Sequence, residues 1–157
     1  MYCLPCGGEC LRRMIVGAPD FFFAYNATFR HIREQYGEEA LRQYWLEMGR
    51  EHFAHVTKAV RAKGLEALRK HWEELFAQEP GAKVSMVMQS NELELRVEQC
   101  PAWKHLRANG REVDPSYCDH CLWVSRGMCE AAGVQVMVEG GQGACVQKFR
   151  EVRRRGG

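Results

Sequence analysis

No apolar run in this 157-residue chain approaches the roughly 18–20 residues that a membrane span requires, so no membrane partner is expected. The start lacks the positive segment and apolar stretch of a secretory signal, and a cytoplasmic location is expected. Charge of one sign is not in excess either. Lys and Arg number 22 against 20 Asp and Glu, for a net charge of +2. A dedicated nucleic-acid binder would show a basic face or stripe, and the one basic run, "REVRRRGG" at residues 150–157, reads as a solvated tail. There is no internal repeat and no low-complexity segment. No G-x-S-x-G and no Ser/His/Asp order suggest a serine hydrolase. "GGQG" at 140–143 lies within a hairpin rather than between a strand and a helix, so it is a poor phosphate loop.

What the chain does have is cysteine, eight residues of it, within an otherwise ordinary globular composition of 46% hydrophobic and 27% charged residues. Its length fits one domain with a real core. Within 1–157 the expected parts are a cysteine-rich lead-in at 1–13, a helical layer at 20–79 and an α/β part at 82–152.

Hydrophobic spacing supports that division. Phe22, Tyr25, Phe29, Ile32 and Tyr36 recur at intervals of three and four between Pro19-Asp20 and Gly37. Leu41, Trp45, Met48, Val56 and Val60 continue the pattern to Gly64. Leu65, Leu68, Trp72, Leu75 and Phe76 form a third stripe, stopped by Pro80-Gly81. After Gly81 the period becomes two. Val84, Met86 and Met88 alternate with Ser85, Val87 and Gln89, and Leu93, Leu95 and Val97 alternate with charged neighbours, around a Ser90-Asn91 turn. A helix over "SYCDHCLWVSRGMCEAAG" and a second hairpin over "VQVMVEGGQGACVQKFREV" complete the set. The expected fold is α+β: three helices packed on a four-stranded antiparallel sheet, made of two hairpins separated by a helix.

A reducing compartment disfavours structural disulfides and favours metal or redox roles for cysteine. Cys3-Leu4-Pro5-Cys6-Gly7-Gly8 has the spacing of a metal knuckle, in which two sulfurs face one ion and the glycines let backbone amides turn towards them. Cys10 places a third thiol within reach. The second cluster is Cys118-Asp119-His120-Cys121, at the start of a helix whose N-terminus favours thiolates. Cys100 lies upstream of it. Cys129 reads as a small buried hydrophobe, and Cys145, beside the glycine turn, is an additional metal-ligand candidate.

Two cofactors stay open. Zinc held by Cys3, Cys6, Cys118 and Cys121 would staple the start of the chain to its second half. An iron–sulfur cluster on Cys3, Cys6 and Cys10 would take a distant fourth cysteine or leave one iron open. Either centre could serve an enzyme acting on a small sulfur or nitrogen compound, with Cys100, His120 and His105 as candidate catalytic residues and the histidines moving protons. The alternatives are a metal-clipped binding or sensor module and, ranked last, a protein cycling C-x2-C thiols. Glu47, Glu51 and His55 at i, i+4 and i+8, beside His52, read first as a solvated helix face. The expected partner is a small molecule, and a homodimer stays open.

The order "YWLEMGREHF", "RVEQCPAWKHL", "YCDHC", "GQGACVQKF" resembles the L-2-amino-thiazoline-4-carboxylic acid hydrolase-like family, which is distantly similar to the small-molecule-binding 4-vinyl reductase domain. The resemblance covers residues 36–149. It implies a small α+β domain around a ligand pocket with cysteines at its mouth, namely Cys100, Cys118, Cys121 and Cys145. The activity it implies is hydrolytic opening of a thiazoline ring beside a carboxylate.

Overall fold

The computed structural model describes residues 20–152. Helix α1 runs Asp20–Glu51, bent at Gly37, whose φ of 87° and ψ of 172° leave the helical region. A residue without Cβ takes that conformation at little cost, so the break falls at the glycine. Helices α2, Ala54–Lys63, and α3, Leu65–Ala77, follow. Strands β1, Lys83–Gln89, and β2, Glu92–Gln99, form the first hairpin. Then come α4, Pro101–Ala108, and α5, Asp119–Cys129, with a 3₁₀ turn over Glu130–Ala132. Strands β3, Val134–Gly141, and β4, Ala144–Glu151, form the second hairpin.

The four strands make one antiparallel sheet in the order β1-β2-β4-β3, with the two hairpins joined through β2 and β4. The fold class is the one expected from the sequence. Two details differ. The helix expected to run from residue 38 to Gly64 is interrupted at His52-Phe53, where α1 ends and α2 begins. Helix α4 was not anticipated, because eight residues starting at a proline offer too little period to register.

Alternation in the strands sorts the sheet into a dry and a wet face. Leu93, Leu95, Val97, Val136 and Phe149 are buried against the helices and pack with Val56, Val60, Leu65, Leu68 and Met128. On the other face, Arg150 pairs with Glu92 at 2.6 Å, and Lys148 and Arg96 reach Glu94 at 3.9 and 2.9 Å. A second buried cluster joins Phe29, Leu41 and Trp45 of α1 with Ala102, Leu106, Tyr117 and Val124. Phe53 and Cys100 pack against both clusters. Among the described residues no helix is long and apolar enough to cross a membrane.

Two features fix where α5 lies. At its crossing with α1, glycines face each other: a Cβ on Gly127 would lie 2.2 Å from the Leu46 carbonyl oxygen, and one on Gly49 would lie 2.2 Å from that of Val124. Only glycine on both helices allows backbones that close. The loop before α5 is held by Asp114, which is 1% exposed. Its carboxylate accepts from Arg33 of α1 at 2.8 and 3.1 Å and from the Ser116 amide at 3.0 Å. Asn26, also on α1, accepts from the Asp114 amide and donates to the Glu112 carbonyl, both at 2.8 Å. A charge buried so deeply is tolerable because nearly every lone pair is answered.

Candidate functional site

Four cysteines from three parts of the chain, Cys100, the pair Cys118 and Cys121, and Cys145, converge where α4, α5 and the β3–β4 turn meet. Cys100 precedes Pro101 at the start of α4, and its amide donates to the Gly143 carbonyl at 2.8 Å, tying the helix to the turn. The backbone of Trp103 and Ala102 pulls the pKa of its thiol down. Cys118 stands at the start of α5, beside the Gln142-Gly143 turn, whose backbone pulls its pKa down. The turn is shaped for this. Gly140 and Gly143 hold φ of 106° and 94°, and a Cβ on Gly143 would lie 2.7 Å from the Trp103 ring. Cys145, on β4, sits opposite Val97 of β2 and Gly140 of β3, on the dry face. Cys121, one turn into α5, completes the group.

The thiols lie close enough that ionising one raises the others, yet burial is the larger effect on each. It pushes Cys100, Cys121 and Cys145 to about 11, and it raises Cys118 against the pull of the turn's backbone. Burial thus favours the uncharged thiol at each of the four positions. His120 is neutral as well, its pKa lowered by burial. Its Nδ1 faces the Tyr117 carbonyl, which can only accept, so Nδ1 carries the proton. That leaves Nε2 as an acceptor 3.6 Å from the Cys121 sulfur. The ring packs on Phe29 and Tyr117 at 5.5 and 5.1 Å.

Beside the thiols is a side chain that the sequence reading passed over. Gln147 occupies the dry face of β4, in a row between Leu95 and Val138, and is 3% exposed. Its amide nitrogen has only a long contact of 3.8 Å to the Cys145 sulfur, and its Oε1 has no partner. Trp72 Nε1 and His71 Nε2, on α3, are likewise buried without partners. Trp72 packs 6.1 Å from Phe149, the next inward residue of β4. The signal was available in the sequence: with Cys145 and Phe149 facing inward, the alternation puts Gln147 inward too.

The metal-centred expectation is corrected here. Among the described residues no group of three or more His, Cys, Asp or Glu side chains is placed to hold a metal ion. Cys118, Cys121 and Cys145 share a neighbourhood with Cys100 but do not present a ligand set. The metal-centred function is set aside for the described residues, while the expected zinc and iron–sulfur sites draw on Cys3, Cys6 and Cys10. Cys3, Cys6 and Cys10 lie outside the described residues.

Of the three candidate catalytic residues, Cys100 and His120 are in the cluster. His105 is on α4, 5.0 Å from the Phe23 ring and with its Nε2 3.4 Å from the Asn109 amide nitrogen. Cys129 is fully buried in the core, as a small hydrophobe would be. Glu47, Glu51, His52 and His55 are exposed. A surface groove of about 640 Å³ runs between Trp123, Arg126 and Met137 and includes none of the thiols. No protein-family model matches the chain, and no curated protein matches it.

Proposed function

We propose that this chain is a small-molecule-binding domain whose ligand lies against the dry face of β4, between Gln147 and the thiols. One observation carries the proposal: a carbonyl oxygen of Gln147, 97% out of solvent, without a donor in an otherwise apolar row. An unanswered buried acceptor costs about 1–3 kcal/mol, a penalty that a bound donor removes. Protonated thiols offer soft, uncharged surface, so the fitting ligand is a compact, uncharged molecule carrying at least one N–H or O–H. Trp72 Nε1, on α3, is a second buried polar atom without a partner. The resemblance to the thiazoline hydrolase-like family and to the small-molecule-binding 4-vinyl reductase domain supports a binding site of this kind. The five described cysteines are all free thiols, which suits a reducing, cytoplasmic setting.

The test is a thermal-shift screen of small N–H heterocycles, such as indole, benzimidazole and 2-aminothiazoline, on the parent protein and on Gln147→Leu. A ligand at a hundred times its dissociation constant stabilises by about 2.7 kcal/mol. At least one probe should raise the melting temperature of the parent and leave Gln147→Leu unmoved. Equal shifts in both proteins, or none in either, would overturn the proposal.

A further inference from the structure

Among the described residues β3 ends the sheet, and the groove of about 640 Å³ runs along it. Residues 133–137 line that groove without a gap. Consecutive residues of a strand point to opposite faces, so a cavity touching every one of them lies along the strand's open edge, not over either face. Opposite the edge is a wall of two helices. Leu46 and Arg50 are four apart on α1, and Trp123, Arg126 and Glu130 follow at three and four along α5 and the 3₁₀ turn, so each set shares one side of its helix. A free edge presents a row of unpaired backbone N–H and C=O groups. The two edges of this sheet differ in how they are guarded. Strand β1 opens on Lys83 and shifts register between Lys83 and Val84. Strand β3 has no proline, no lysine and an unbroken register against β4, and its Met137 is exposed.

The groove also has positive charge to spare. Glu130 is answered by Arg50 at 3.2 Å. Arg126 lies 4.9 Å over the Trp123 ring and makes no ion pair among the described residues. From Val152, another lining residue, the sequence continues as Arg153-Arg154-Arg155. The geometry points to the β3 groove, a site separate from Gln147 and the thiols, as the docking place of an extended acidic peptide that joins the sheet as a fifth strand. Its backbone pairs with β3 over about five residues, roughly 17 Å. Alternate side chains of the peptide meet the helical wall: aliphatic ones lie against Leu46 and Trp123, and an aspartate or glutamate reaches the Arg126 guanidinium. A second copy of this chain is the poorer occupant. Two β3 strands related by a two-fold axis would set one Arg126-bearing wall against another, and the one acid on each wall, Glu130, is already engaged by Arg50.

The test is fluorescence anisotropy of a labelled, end-capped heptapeptide titrated with the full chain. The peptide has valine, glutamate and valine at alternate positions, with threonine between them and glycine at the ends. Saturable binding is expected, with amide exchange at residues 134–137 slowed. Arg126→Glu should weaken binding at least about tenfold and should bind the same peptide with lysine for glutamate better than the parent does. Lys83→Glu, on the opposite edge, should bind as the parent does, and both variants should keep the parent's circular dichroism. Methylating the backbone nitrogens of one alternate row of the peptide should abolish binding, and methylating the other row should leave it intact, because only one row faces β3. No saturable binding, equal effects of the two methylation patterns, or slowed exchange on β1 instead of β3 would overturn the proposal. So would displacement of the peptide by oligothymidylate at lower concentration than by unlabelled peptide, or a dimer of the free chain in which residues 134–137 are already protected.

Discussion

Replacing Gly127 by alanine tests the frame that brings α5 to the site. The added Cβ would lie 2.2 Å from the Leu46 carbonyl oxygen, 3.1 Å from its carbonyl carbon and 3.1 Å from the Gly49 Cα. All three are backbone atoms, which no rotamer change can move aside. Ordinary contact requires the two helices to separate by about 1 Å, and overpacking of that kind costs ~1–3 kcal/mol. The upper half of that range applies, since neither backbone can yield alone. Alanine's better helix propensity returns about 1 kcal/mol. The net expectation is a loss of about 1–2 kcal/mol. With a urea dependence of ~1–3 kcal/mol per molar, the unfolding midpoint followed by tryptophan fluorescence should fall by about 0.5–1 M. Gly49→Ala should behave alike, because its Cβ would meet the Val124 carbonyl at 2.2 Å. The double variant should cost less than the sum, since one separation relieves both clashes. A midpoint for Gly127→Ala equal to or above the parent's would refute the close crossing.

Three further outcomes follow from the geometry. Asn26→Leu leaves the buried Asp114 amide without its acceptor and should cost about 1–3 kcal/mol by urea unfolding, with faster amide exchange across residues 109–118. Stability should decline with alkali. Cys100, Cys121 and Cys145 are raised to about 11, above the ordinary thiol value, so the unfolded chain loses these protons first. Their contribution is full below about pH 8.5 and is lost as pH rises through 11. Cys145→Ala should flatten the decline by up to about 1.4 kcal/mol per pH unit over that window, and an unchanged slope would contradict the burial of that thiol. Gly143→Ala should loosen the turn against α4, because its Cβ would strike the Trp103 ring at 2.7 Å and its φ of 94° disfavours any side chain. A shift in Trp103 emission is the readout.

Much of the architecture could be read directly from spacing. The alternation of Leu93, Leu95 and Val97 put the buried face of β2 where it is found, and the stripe beginning Leu65 and Leu68 gave the buried side of α3. The first stripe was less reliable. Phe29 is buried, but Tyr25 and Tyr36 are 44% and 71% exposed, because this arm of α1 is covered mainly by α4 and the loop that Asp114 anchors. Helix α4 is amphipathic, with Ala102 and Leu106 buried one turn apart, but spans only eight residues, and the loop has no periodic signature. The site was legible as a set of residue types and not as an arrangement. Cys100, Cys118, Cys121 and Cys145 come together through the pairing of β2 with β4 and the hydrogen bond from Cys100 to Gly143, both long-range events. Spacing says which thiols can reach one another. It is silent on how the fold orients them, and among the described residues they form no ligand group. Gln147 was missed because a polar residue in a strand is ordinarily assigned to the wet face.

The most direct test of the binding account is the stability of Gln147→Leu without any ligand. If the amide is retained for a ligand, removing its unanswered oxygen from an apolar row should leave the protein as stable as the parent or raise its stability by about 1–2 kcal/mol, while probe binding is lost. If Gln147→Leu is instead destabilised by more than about 1 kcal/mol, the oxygen already has a structural partner. The ligand site proposed on its vacancy would then be contradicted.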